Sequence, residues 1–538
     1  SPIPNPQSPI PNPQSPIEMI TEYNIIKIFS KILKIIYKNY NFKKMGCSQK
    51  TPTSEDKENK LSKRISKTKN ADIRKNYEFI SILGNGNFGK VRLYRDRKQK
   101  DLLFAIKTLK KENITKNYYE LIKNEVNILS NLDHPNIVKY FGVYEDDYYI
   151  HILMEYLKGY DLYKIIALKK YTGFDEKDIC EIIYQLLQAL SFVHGQNIVH
   201  RDIKPENILF ASKRDYSTLK LIDFGLSAYM DKAKNVVGTP YYMAPEMIEG
   251  RSYPQSDIWS IGVIVYLSLT GKYPFESKDN QNLFDNIKKK EINLDPLNES
   301  ECSDESKDFI IKCLTKDYTK RLTTSDCLNH PWITKFCIKK NSNLINSDTV
   351  DTLLGFANKN ALQKEIYYFL AKISSEKDLD KLKNFFIQLD VDNSGTLTVD
   401  EIEKAFKELD IGITEEELKQ IWEGLDFHQD GQINYSEFLA AMVSSYNFQK
   451  EEKLWSVFNI FKENSDKNKN YITYDSLYNA AKALNLNINE NEIKKCFEKY
   501  DEEIDFETFK NLIMNSEEED KNMSMKRKSS KHVKVVKD

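Results

Sequence analysis

The sequence predicts a multidomain α+β protein in which a mixed strand-and-helix region precedes an all-α region. Three observations carry this. The chain has 538 residues, more than one hydrophobic core usually spans. From residue 77 apolar residues alternate in "YEFISILGNGNFGKVRLYRDR", the period of a strand hairpin, and further along they recur at helical spacing, as in Ile179, Ile183, Leu186, Leu187 and Leu190. Beyond residue 379, helical stretches flank twelve-residue loops rich in oxygen-bearing side chains.

Composition sets limits before any motif is read. Lysine plus arginine number 79 against 80 acidic residues, so no overall charge draws the chain to nucleic acid or to a membrane. The seven cysteines form no CxxC pair and no zinc-like spacing, which fits a reducing compartment; a cytoplasmic, monomeric protein is expected.

Residues 1–44 open on the repeat "SPIPNPQSPIPNPQSPI", too polar and proline-rich to bury a core. The stretch 24–44 places Ile26, Phe29, Leu33 and Ile36 on one helical face among lysines. It is too short and too charged to span a bilayer, and reads as a membrane-surface helix, a partner-binding helix or sequence upstream of the true start. In the variable basic segment 45–76, "MGCSQK" begins at Met45 as a true start would, making Gly46 and Cys47 candidate acylation sites for membrane association, although Lys50 stands where Ser or Thr is usual.

In the hairpin, Gly84, Gly86 and Gly89 bridge two strands instead of opening a helix, which suits a flap over nucleotide phosphates. The next strand, "LLFAIKTL", carries Lys107, whose burial demands a partner; Glu125 in "ELIKNEVNILSNL" provides one. At "HRDIKPENILF" (200–210) and "DFG" (223–225), carboxylates and an amide of the kind that hard Mg²⁺ prefers accompany a lysine. With these motifs in order, residues 77–332 resemble the eukaryotic protein kinase catalytic domain, a bilobal fold. "GTPYYMAPE" (238–246), "SDIWSIGVIVYLSLTGKYPF" (256–275) and "DYTKRLT" (317–323) extend the likeness.

The resemblance implies roles. Asp202 is the base facing the substrate hydroxyl, Lys204 neutralises the transferring phosphoryl group, Lys107 and Glu125 position the phosphates, and Asn207 and Asp223 hold Mg²⁺. ATP would lie among Leu83, Gly84, Asn85, Gly86, Asn87, Phe88, Gly89, Val91, Ala105, Lys107, the hinge residues Met154, Glu155 and Leu157, and Asp161. Glu246 would pair with Arg321. The "HRDIKPEN" form is similar to serine/threonine kinases, and Asp161 and Glu206 lie where related kinases attract an arginine upstream of the target residue. His134, His194 and His200 read as structural.

The loop "DVDNSGTLTVDE" (390–401) fills every ligand position of a calcium-binding EF-hand: Asp390, Asp392, Ser394, the Thr396 carbonyl, Thr398 through water and bidentate Glu401, with Gly395 at the sharp turn. A second loop, "DFHQDGQINYSE" (426–437), keeps Asp426, Asp430, Gln432, Asn434 and Glu437 but places His428 at the third ligand position, which predicts a weaker second site. A third copy (461–476) offers Lys467 and Lys469 as ligands, and a fourth (497–509) is shortened and ends on Thr508, so both are expected to be structural.

A kinase domain followed by four such units resembles the calcium-dependent protein kinase family, over about 77–515. The likeness implies a junction at 333–378, where Leu354, Leu362, Ile366, Phe369 and Ile373 mark an amphipathic helix that inhibits the kinase until calcium opens the hands. The remaining divisions are calmodulin-like hands one and two at 379–446, degenerate hands three and four at 447–515, and a charged tail at 516–538. The expected activity is calcium-activated transfer of the ATP γ-phosphate to protein serine or threonine. The alternative is a constitutive kinase whose hands only dock partners.

Overall fold

The computed structural model describes residues 73–86, 89–97, 99–169, 174–213, 215–337, 347–408, 411–444, 451–462, 471–483, 490–499 and 503–514. The acylation candidates Gly46 and Cys47, the flap-tip residues Asn87 and Phe88, and the third-hand lysines Lys467 and Lys469 lie outside these. Among the described residues no helix is long and apolar enough to cross a membrane.

A five-stranded antiparallel sheet builds the first lobe. Its strands are β1 (Tyr77–Gly86), β2 (Gly89–Asp96), β3 (Leu103–Lys110), β4 (Tyr140–Glu145) and β5 (Tyr149–Glu155), in the order β1-β2-β3-β5-β4. One face buries Tyr77, Tyr94, Phe104, Ile106 and Leu153 as a small aromatic-aliphatic core. The glycine at 89 is required sterically, because a Cβ there would stand 2.5 Å from the Thr108 carbonyl oxygen on β3. Helix α1 (Lys116–Asn131), capped by the Thr115 side chain on the Tyr118 amide, lies against β4 and carries Glu125.

The second lobe is helical. Helix α2 (Leu162–Lys169) follows the hinge, and α3 (Glu176–Gly195), started by Asp175, packs Ile179, Ile183, Leu186, Leu187 and Leu190 wholly out of solvent. Helix α4 (Pro254–Thr270) is apolar almost all round, as a helix in the centre of a domain must be, and stops at Gly271 in the left-handed conformation, φ 69°. The short strand pair β6 (Ile208–Ser212) and β7 (Asp215–Leu221) brings the loop before it and the loop after it to the same edge.

The junction forms two helices, α5 (Ser347–Ala357) and α6 (Ala361–Ile373), where a single amphipathic helix was expected. Asn360 makes the break: its side chain accepts from the Gln363 amide while Gln363 returns a bond to the Asn360 amide, a capping box that starts a new helix. Leu362, Ile366 and Phe369 are buried, and Leu354 and Ile373 pack against the same core.

The hands follow. Helices α7 (Glu376–Leu389) and α8 (Val399–Glu408) flank the first loop, and α9 (Glu415–Leu425) and α10 (Tyr435–Val443) flank the second. Thr396 pairs with Asn434 and Leu397 with Ile433, joining the two loops as a short sheet. A second pair of hands repeats this, Tyr471–Thr473 lying against Glu503–Asp505. Both pairs and both junction helices share one core, from Val350 and Phe356 through Phe386 and Phe438 to Phe458 and Ile513. Gln363 donates to the Leu512 carbonyl and Tyr367 to that of Ile513, so α6 is also held by the degenerate pair.

Candidate active site and calcium loops

The cleft between the lobes gathers the charged residues from separate elements. Val91 on β2 stands opposite Lys107 on β3, and Ala105 opposite Met154 on β5, which places the flap, the lysine and the hinge in one register. Lys107 Nζ lies 2.5 Å from Glu125 Oε1 and 3.2 Å from Asp223 Oδ1. Burial works against its charge, but the two carboxylates hold it protonated above the usual lysine range. Burial raises the Glu125 carboxyl, opposed by Lys107; at Asp223 burial also pushes upward, yet Lys107 wins and keeps it below the ordinary value.

Around the candidate base the contacts are tight. Lys204 Nζ stands 2.6 Å from Asp202 Oδ2 and donates to Thr239 Oγ1 at 3.0 Å, while the Thr239 hydroxyl donates to Asp202 Oδ1 at 2.7 Å. Asn207 Nδ2 donates to the Asp202 carbonyl at 2.8 Å and to its Oδ2 at 3.1 Å. The backbone that presents these groups is itself constrained: Arg201 and Asp223 have φ of 70° and 61°. Asp257, wholly buried on α4, accepts from the His200 and Arg201 amides and from His194 Nε2, so it supports the loop from beneath.

The hinge residues take their places with one distinction. Leu157 is nearly buried, whereas the Glu155 side chain turns away to accept the Lys139 amide at 2.6 Å and faces Lys220 Nζ at 3.6 Å. Asp161 accepts from the Lys164 amide at the start of α2, and Glu206 is exposed at the cleft rim. Glu246 and Arg321 meet as a bidentate pair, 2.7 and 3.0 Å, buried in the second lobe. Thr239 and Asp257 were not singled out from the sequence; both sit inside quoted motifs, but their partners lie 37 and about 60 positions away.

In the first loop, ligand oxygens of Asp390, Asp392 and Glu401 all lie within 4.8 Å of one another. Asn393 and Gly395 take φ of 54° and 78° to turn the chain, and the Ser394 and Gly395 amides bond the Asp390 carboxylate. Ser394 and the Thr396 carbonyl sit together at 3.1 Å, and Thr398 accompanies Glu401. Burial, with Glu401 and Asp392 adding to it against the Gly395 amide, pushes the Asp390 carboxyl up to about 7, the mark of a cluster that a cation would stabilise. This loop fits Ca²⁺.

The second loop has the same backbone, Gln429 at 58° and Gly431 at 85°, and Asp430 and Gly431 amides bonding Asp426. The Gln432 amide bonds Asp430 and the Asn434 amide bonds Glu437. Its third position departs: His428 Nδ1 lies 2.8 Å from Glu437 Oε1 and Nε2 lies 3.4 Å from Glu365 Oε1 on α6. Burial would lower this imidazole, but Glu365 and Glu437 carry it up to about 10.

Both loops also touch the second and first lobes. Gln188 on α3 donates to Asn393, a Cβ at Gly395 would stand 2.6 Å from Phe192, and Lys383 donates to the Ser217 carbonyl at 2.8 Å. Asp133, just beyond α1, accepts both the amide and the hydroxyl of Ser436 at the start of α10, at 2.9 and 2.8 Å.

Comparison with known proteins agrees with this geometry. A protein kinase domain profile matches residues 77–333, and a profile for an EF-hand domain pair matches 379–443. The chain is 34% identical over 448 residues to calcium-dependent protein kinase 21 of Arabidopsis thaliana, covering 81% of this chain and 82% of that protein. It is 34% identical over 444 residues to calcium-dependent protein kinase 5 of Plasmodium falciparum (isolate 3D7), covering 80% and 76%. Calcium-dependent protein kinase 2 of Zea mays is 33% identical over 416 residues, covering 76% and 79%. A bilobal cleft with paired lysine and carboxylates, an EF-hand pair beyond it, and relatives alike over most of their length place this chain in the calcium-dependent protein kinase family.

Proposed function

We propose that the protein transfers the γ-phosphate of ATP to serine or threonine in protein substrates, and that calcium at the first hand governs the transfer through the junction helices. Asp202 receives the hydroxyl proton, and its orientation is fixed by Thr239 and Asn207. Lys204, at the same carboxylate, faces the transferring group, and Lys107 holds the phosphates while Glu125 holds Lys107. Mg²⁺, when bound by Asn207 and Asp223, supplies neutralisation of the phosphate charge.

The observation that carries the regulatory half is the shared core of α5, α6 and the hands. A helix buried in an opened hand cannot at the same time obstruct a catalytic cleft, so the equilibrium between hand-bound and released junction is the natural control point. Calcium supplies electrostatic cohesion to the carboxylates of the first loop. Replacing Glu401 by glutamine removes the bidentate ligand, and the variant is expected to remain near the basal rate at every calcium level; full activation would contradict the reading.

For substrate choice, Asp161 and exposed Glu206 support recognition of an arginine upstream of the target. Peptides differing only in that arginine are expected to differ in kcat/KM, and equal values would oppose the assignment.

A further inference from the structure

The second hand holds a side chain where an ion would be required. Glu437 is the one glutamate that could close the loop, and its Oε1 is taken up by His428, from the ring Nδ1 at 2.8 Å and from the backbone amide at 3.2 Å. The other ring nitrogen is 3.4 Å from Glu365, a junction carboxylate only 2% exposed. The ring is walled in: Tyr368 of α6 meets it edge-on at 5.0 Å between centroids, and Phe427 lies at 4.5 Å. A carboxylate buried to that degree is costly without a partner that answers its charge. The His428 ring lies against it at ion-pair distance, without a hydrogen bond, and hydrogen-bonds Glu437 at the same time.

We propose that the second hand takes no calcium, and that His428, bridging Glu437 and Glu365, stands in the place of the ion as a calcium-independent tie between α6 and the hand, leaving the first ion alone to tip the junction equilibrium. The inference rests on the reading of the hands as the control element. Binding an ion would require Glu437 to turn both oxygens inward, which breaks its bond to His428, and would displace a ring that lies between two carboxylates. Histidine nitrogen is in any case a poor ligand for a hard cation. In the first hand Glu401 Oε1 also accepts loop amides, from Val391 and Asp392, but no histidine ties it to the junction, and that hand is left as the ion-driven one.

The test is the calcium count of the full chain by isothermal titration. Wild type is expected to bind one ion, Glu401→Gln none, and Glu437→Gln still one. His428→Asp restores an oxygen ligand and is expected to bind two, falling back to one when combined with Glu437→Gln; His428→Asn serves the same purpose should the aspartate variant not fold. Two ions in wild type, one of them lost in Glu437→Gln, would overturn the tie while leaving the first hand intact, as would a count of one in both His428 variants. No ion in wild type would instead overturn the reading of the first hand. Separately, Glu365→Gln is expected to speed amide exchange over residues 361–373 in chelator by about 10-fold or more without altering the count of one. Unchanged exchange would deny the tie.

Discussion

Lys107 is a residue whose position is explained by its neighbours. Buried on β3, it stays charged because Glu125 and Asp223 both reach it, and that charge is what the proposed contact with nucleotide phosphates requires. Lys107→Met or Asp223→Ala is expected to lower the phosphoryl-transfer rate by roughly 100-fold or more while the calcium titration stays that of wild type, since the two chemistries occupy different domains. A rate within a fewfold of wild type would refute the assignment. These residues were legible in the sequence because their chemistry restricts them to few types at short spacing. Asp257, Thr239 and Glu365 were not legible, because what matters about each is a partner supplied by folding: two loop amides, a carboxylate and lysine of the 200–207 loop, and the ring of His428.

At the level of elements, periodicity gave the strands of the hairpin and the buried face of α3, and the loop pattern gave both calcium-loop backbones. It missed the division of the junction, since the apolar spacing runs on through the break and only the Asn360 and Gln363 bonds reveal a new start. It also missed that the first turn of α10, capped by its own Asn434, is bonded by a residue from another domain as well. Asp133 bonds the first turn of that helix through Ser436 and lies just beyond α1, the helix that carries Glu125, so it is expected to couple the second hand to the Lys107–Glu125 pair. Loss of such a contact is worth about 1 kcal/mol, so Asp133→Ala is expected to reduce the calcium-stimulated rate about fivefold with the basal rate unchanged. The ratio of rates with and without calcium checks this, and an unaltered ratio would remove Asp133 from the coupling.

For the whole molecule, the magnitude of control follows from how many ions drive it. Moving a population from 1:99 to 99:1 takes about 5.5 kcal/mol of differential binding, whereas one coupling commonly supplies about 1–3 kcal/mol. A single effective ion thus gives stimulation of about 5- to 150-fold with a Hill coefficient near 1, and the sequence reading of two sites would permit a coefficient up to 2. The degenerate pair of hands contributes packing on α6 through the Leu512 and Ile513 carbonyls. The most direct measurement is the rate of phosphate transfer to a serine-containing protein substrate, with the full chain, in saturating calcium and again in excess chelator. The account predicts that the chelator lowers the rate at least about fivefold and that added calcium restores it; a rate indifferent to the chelator would mean a constitutive kinase whose hands serve only to dock other proteins.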